Sequence, residues 1–223
     1  MTLPILYSLR NCPYAMRARI AIYKAEQKII LRDIVLSNKP QAMLTASPKG
    51  TVPVLVLGLD STLSQSSVIE ESLEIMLWSL QQSDPHNLLH SGDTNALPQM
   101  LTLIAQFDHQ FKTKLEQYKC AKRYREDTLI EYREACQPYL QDLEQRLSHQ
   151  PFFISAQESL ADIAILPFIR QFARVERQWY LQAPYPKVRQ WLNHYLQSKM
   201  FSKIMTKHPL WSGTQEVVYL GED

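Results

Sequence analysis

Apolar residues fall in short runs over the first third of the chain and recur at helical spacing over the rest. The runs "TLPILYS" (2–8), "KIILRDIVL" (28–36) and "TVPVLVL" (51–57) predict strands, and "SSVIEE" (66–71) a short fourth one. Between them "YAMRARIAIYKA" (14–25), "NKPQAMLTAS" (38–47) and "SLEIMLWSL" (72–80) predict helices, the second stopping before Pro48. The order β-α-β-α-β-β-α describes a small α/β domain over 1–81.

A polar stretch follows, with Asp84-Pro85 and Ser91-Gly92-Asp93 as turn formers; it reads as a linker over 82–97. From 98 to 223 the periodicity is helical throughout. Leu101, Ile104, Ala105, Phe107 and Phe111 form one stripe, and Leu129, Tyr132, Ala135, Cys136, Tyr139, Leu140 and Leu143 another. "SLADIAILPFIRQFARV" (159–175) opens with Ser159-x-x-Asp162, so Ser159 can cap a helix whose positive end Asp162 favours, and Pro167 should bend it. "YPKVRQWLNHYLQ" (185–197) supplies a further helix. The predicted second domain is therefore all-α.

Charge and composition narrow the class. The 223 residues carry 24 basic and 22 acidic side chains, a net charge of +2, which argues against a dedicated nucleic-acid binder. The basic stretch 112–126 sets Lys112, Lys119 and Arg123 beside Glu116 and Glu126, the pattern of a solvated helix face. No run is apolar over the roughly 18 residues a membrane span needs, and the N-terminus lacks a charged segment ahead of its short apolar run. Cys12, Cys120 and Cys136 are odd in number and form no C-x-x-C pair, so a cytoplasmic protein with free thiols is expected. Five glycines and no G-x-G-x-x-G or Walker loop give no support to a nucleotide fold. No metal is expected, since His86 and His90 lie in a loop without nearby acidic ligands.

The candidate chemistry lies in "YSLRNCPYAMRARIAI" (7–22), where Cys12 ends the first strand–loop and Pro13 begins a helix. Proline suits the first helical position, and a thiolate at a helix N-terminus is stabilised by the unpaired N–H groups there. Arg10, Arg17 and Arg19 add positive charge nearby. An arbitrary cysteine is more often a packing residue; the strand–Cys-Pro–helix context favours a nucleophile. Val52-Pro53 precedes the third strand, either as an ordinary turn after Gly50 or as a cis bond that leaves the Val52 backbone able to pair with a peptide-like ligand.

These stretches, in order, resemble the glutathione S-transferase superfamily over nearly the whole chain. "NCPYAMRARIAI" resembles its cysteine-type, omega-like and glutaredoxin-2-like signature. "NKP" (38–40), "GTVPVL" (50–55) and "IEESLEIMLW" (69–78) are similar to successive glutathione-site blocks, and "SLADIAILPFIRQF" (159–172) to the capping motif of its helical domain. The resemblance implies a thioredoxin-like α/β domain followed by an all-α one. It implies Cys12 facing the glutathione sulfur, Tyr14 lining the pocket and Lys39 contacting the glycyl carboxylate. Val52, next to cis-Pro53, would pair through its backbone, and Glu71 with Ser72 would hold the γ-glutamyl group. The chain is about six residues longer than the family between Pro53 and Glu71, and Gln65-Ser66 is a second candidate pair; the fuller match around Glu71-Ser72 favours the latter. Phe107 and Phe111 would touch a small electrophile or mixed-disulfide substrate between the domains, and a homodimer is compatible with the family. The expected activity is glutathione-dependent thiol transfer. Conjugation of glutathione to electrophiles is the rival enzyme reading, and a stringent-starvation-like regulator or a chloride-channel-like protein the non-catalytic one.

Overall fold

The computed structural model describes residues 3–58, 67–213 and 216–221. They form two units, one of Met1–His86 with Ser198–Asp223 and one of Asn87–Gln197.

The first unit follows the predicted order: β1 (Ile5–Ser8), α1 (Pro13–Lys24), β2 (Ile29–Asp33), α2 (Gln41–Ala46), β3 (Val54–Val56), β4 (Val68–Ile69) and α3 (Ser72–Gln82). Its mixed sheet runs β4-β3-β1-β2 and is extended by β5 (Val218–Leu220) beside β2. β1 and β2 are parallel, and the remaining pairs are antiparallel. Leu6 in β1 and Leu55 in β3 are fully buried, as are Ala18, Ile20, Ala21 and Ile22 of α1, which packs closely with α3.

The last 26 residues correct the expected domain limits. α10 (Lys199–Ile204) packs on α1, and β5 pairs with β2 in the register Ile29↔Leu220, so residues 198–223 belong to the first unit rather than to the helical one. A buried polar cluster fixes this return. Arg19 on α1 donates to Ser8 Oγ at 2.7 Å, to the Ile204 carbonyl at 3.1 Å and to the Asp33 carboxylate. Beyond α10, the Trp211 N–H donates to the Asp33 carbonyl at 2.7 Å, and its ring lies 4.0 Å from the Arg32 guanidinium carbon.

The second unit is helical. It contains α4 (Ala96–Gln106), a π-helical turn at Phe107–Phe111, α5 (Lys112–Tyr124), α6 (Leu129–His149), α7 (Leu160–Val175), α8 (Arg177–Gln182) and α9 (Pro186–Leu196). The Ser159–Asp162 start of α7 forms as its spacing suggests. The Asp162 carboxylate, fully buried, accepts from Ser159 N at 3.0 Å, Ser159 Oγ at 2.6 Å, Phe153 N at 3.0 Å and Trp191 Nε1 at 3.2 Å. α7 continues through Pro167 to Val175. On α5, Glu116 takes both Lys112 and Lys119, which accounts for part of the basic stretch as a solvated, internally paired face. Among the described residues no helix is long and apolar enough to cross a membrane.

Candidate functional site

Sheet topology brings the separated motifs to one end of the first unit. Ser8, which ends β1, pairs with Asp33, which ends β2, while Val54 at the start of β3 lies opposite Tyr7. Ile69 at the end of β4 lies opposite Leu55. The loop to Cys12, the approach to Lys39, the Val52-Pro53 segment and the start of α3 therefore all adjoin the sheet at the same end of its strands.

Cys12 is the N-cap of α1, with extended backbone (φ −75°, ψ 126°) and Pro13 as the first helical residue. Its N–H donates to the Leu9 carbonyl and its carbonyl accepts from Met16 N–H, both at 2.9 Å, so the cap is held from each side. The first turn carries no acidic residue to compete with a thiolate for the helix N–H groups. The thiol is half-buried, and Sγ lies 3.9 Å from the Val52 carbonyl oxygen. Of the other thiols, Cys120 is exposed on α5, and Cys136 is buried, its thiol pushed up to about 12 by desolvation.

The arginines near the thiol serve purposes the sequence does not announce. Arg19 is committed to Asp33, Ser8 and Ile204, and Arg10 donates to the Met205 carbonyl at 3.3 Å. Arg17 is fully buried, its guanidinium carbon 5.6 Å from the centre of the half-buried Tyr14 ring. Arg10 and Arg19 thus tie Met205 and Ile204 to the first unit.

The Val52-Pro53 peptide is cis, and Val52 is almost wholly buried beside Tyr7, Ala15 and Val54. Gly50, just before it, has φ +63°, a left-handed turn that glycine adopts without a Cβ penalty. A Cβ there would lie 3.1 Å from Lys39 Nζ, so the half-buried Lys39 side chain reaches across this turn. Glu71 is the N-cap of α3, and Ser72, nearly buried, is its first residue. Glu71 accepts from Lys49, and the neighbouring Glu70 accepts from Ser47 Oγ. The acidic side chain and the helix N–H groups of α3 thus stand together, a suitable pair for an ammonium and a carboxylate on one ligand carbon. Gln65-Ser66, the other candidate pair, lies outside the described residues.

Two expectations fail and two residues emerge unannounced. Phe107 and Phe111 are fully buried, their rings packed on each other at 4.9 Å and against Tyr139 and, for Phe111, Phe172. They build the core of the helical unit and offer no face to an electrophile. Lys49 and Trp211 each meet a partner, Glu71 and Asp33, across a sequence separation that no local pattern reveals. Trp211 and Cys12 both pack against the buried apolar cluster that contains Val52.

The sequence matches the family description "Glutathione S-transferase, N-terminal domain" over residues 6–87 and "Glutathione S-transferase, C-terminal domain" over residues 126–194. Comparison with curated proteins found no match. Among solved structures, a glutathione transferase family member from Pseudomonas fluorescens pf-5 with two glutathione bound is similar at 17% identity and TM-score 0.76, covering 91% of this chain and 92% of that one. A glutathione transferase from Pseudomonas putida with one glutathione disulfide per subunit is similar at 18% identity and TM-score 0.77, covering 91% and 90%. Glutathione transferase Omega 2C from Trametes versicolor is similar at 20% identity and TM-score 0.74, covering 92% and 93%. At these identities the likeness is one of fold.

Proposed function

Because the chain belongs to the glutathione S-transferase superfamily, we propose that it is a glutathione-dependent thiol transferase with Cys12 as nucleophile. The observation that carries this reading is the placement of Cys12 Sγ at the N-terminus of α1, 3.9 Å from the Val52 carbonyl. Glutathione bound at this sheet end would pair its backbone with Val52, set its γ-glutamyl group at Glu71 and Ser72, and direct its glycyl carboxylate to Lys39. Tyr14 would line the same pocket. The bound glutathione and glutathione disulfide of the Pseudomonas structures support the choice of ligand.

The chemistry follows from sulfur. The Cys12 thiolate attacks the glutathione sulfur of a mixed disulfide, forming a Cys12–glutathione disulfide and releasing the substrate thiolate, which takes up a proton. A second glutathione thiolate then attacks the glutathione sulfur on Cys12, giving glutathione disulfide and restoring the enzyme thiolate. Ala15 stands where a C-x-x-C motif would place its second sulfur, so the cycle is monothiol.

Cys12→Ser tests the reading against conjugation. A serine hydroxyl can hydrogen-bond and activate a bound glutathione thiolate but cannot carry a disulfide. The variant should lose glutathione-dependent reduction of a mixed-disulfide substrate while still binding glutathione, and should keep or gain conjugating activity. Full reductase activity in the variant would remove Cys12 from the mechanism.

A further inference from the structure

Resting on the reading that Glu71 receives the γ-glutamyl ammonium, we propose that Lys49 is a built-in competitor for that ligand group. The Lys49 ammonium donates to Glu71 Oε1. The pair is local and exchangeable, with side chains 48% and 61% exposed. Neighbouring acids deepen the well that holds it: Glu71 raises the Lys49 ammonium above its usual range by hydrogen bond and charge, and Glu70 and Glu74 add to this.

Glu70 accepts from Ser47, and Lys39 reaches across the Gly50 turn. An incoming ammonium must therefore displace Lys49 or share the carboxylate with it, as Lys112 and Lys119 share Glu116. Either way its Coulombic gain is smaller than at an unshared carboxylate, so Lys49 lowers affinity and favours release of glutathione and its products. It also discriminates by chemistry, since a ligand without an ammonium has no reason to displace it.

Titration calorimetry on the full chain at physiological salt tests this with four proteins: wild type, Lys49→Met, Glu71→Gln and the double variant. The probes are glutathione and its N-acetylated form, which lacks the ammonium. Methionine keeps the apolar stem of the half-exposed Lys49. Lys49→Met should bind glutathione about two- to fivefold more tightly, the range expected for removing one exposed ion pair. The gain should vanish in the Glu71→Gln background and for the N-acetylated probe. Unchanged or weaker glutathione binding by Lys49→Met, with Glu71→Gln still weakening it, overturns the proposal alone and makes Lys49 a ligand contact or a bystander. Intact glutathione binding in Glu71→Gln overturns the clamp itself, and the proposal with it.

Discussion

The indole N–H of Trp191 donates to the Asp162 carboxylate at 3.2 Å, joining α9 to the capped start of α7 across 29 residues of chain. Four donors converge on this one fully buried side chain, yet burial outweighs them and pushes its carboxyl up to about 6. The native state consequently binds more protons at Asp162 than the unfolded chain does between about pH 4 and 6. The stabilising contribution of the protonated group is complete below the unfolded value and is lost as pH rises through the folded one. Compared with Asp162→Asn, which does not titrate, the wild type should lose about 2 kcal/mol of relative stability from pH 4 to 7, most of it below pH 6. Urea unfolding of both proteins across that range measures the difference, and parallel curves would exclude this assignment.

Arg19 and Asp33 form a buried ion pair, and Arg19 also donates to Ser8 and Ile204. Arg19→Met should cost about 3–5 kcal/mol, because it leaves the Asp33 charge buried without its partner. Arg19→Met with Asp33→Leu should recover part of that loss, since neither charge then remains. Chemical denaturation of the three proteins decides it; an equal or greater loss in the double variant would count against the pairing argument.

Trp211 anchors the returning C-terminal segment on Arg32 and Tyr7. Trp211→Ala removes an indole 4.0 Å from a guanidinium carbon and should destabilise the first unit by about 1–2 kcal/mol. Hydrogen exchange should report faster opening at β5 and β2, with α4 to α7 unaffected.

At the ligand clamp, Glu71→Ala should weaken glutathione binding by about 1–3 kcal/mol, the range for a charge-assisted contact, while Gln65→Ala should change it little. Gly50→Ala should lose roughly 1 kcal/mol of stability from its left-handed backbone and also weaken binding, since the new methyl crowds Lys39. Calorimetry on the three variants checks both statements. Weaker binding in Gln65→Ala alone would move the clamp to Gln65-Ser66.

Features set by neighbouring residues were readable before the structure. Cys12-Pro13 announces a helix start because proline is favoured at the first helical position, and Ser159-x-x-Asp162 announces another because N-cap and N3 face each other. Features that need distant partners were not. Lys49 meets Glu71 across 22 positions and Arg19 meets Asp33 across 14, distances at which sequence carries no geometric signal. Arg17 and Arg19 read as positive charge beside the thiol, yet both are wholly enclosed, which is rare for arginine. β5 is a three-residue strand whose partner lies near the other end of the chain, so no periodicity marks it. Phe107 and Phe111 misled because a buried aromatic stripe and a substrate wall have the same helical spacing.

The central claim, that Cys12 sulfur itself takes the glutathionyl group, is open to direct observation. The protein is mixed with a glutathionylated peptide in a single turnover without added glutathione, quenched in acid, and mapped by mass spectrometry. Cys12 should carry one glutathione in step with release of the peptide thiol, while Cys120 and Cys136 remain unmodified, and added glutathione should clear the adduct as glutathione disulfide. Release of the peptide thiol with no adduct on Cys12 would contradict the account.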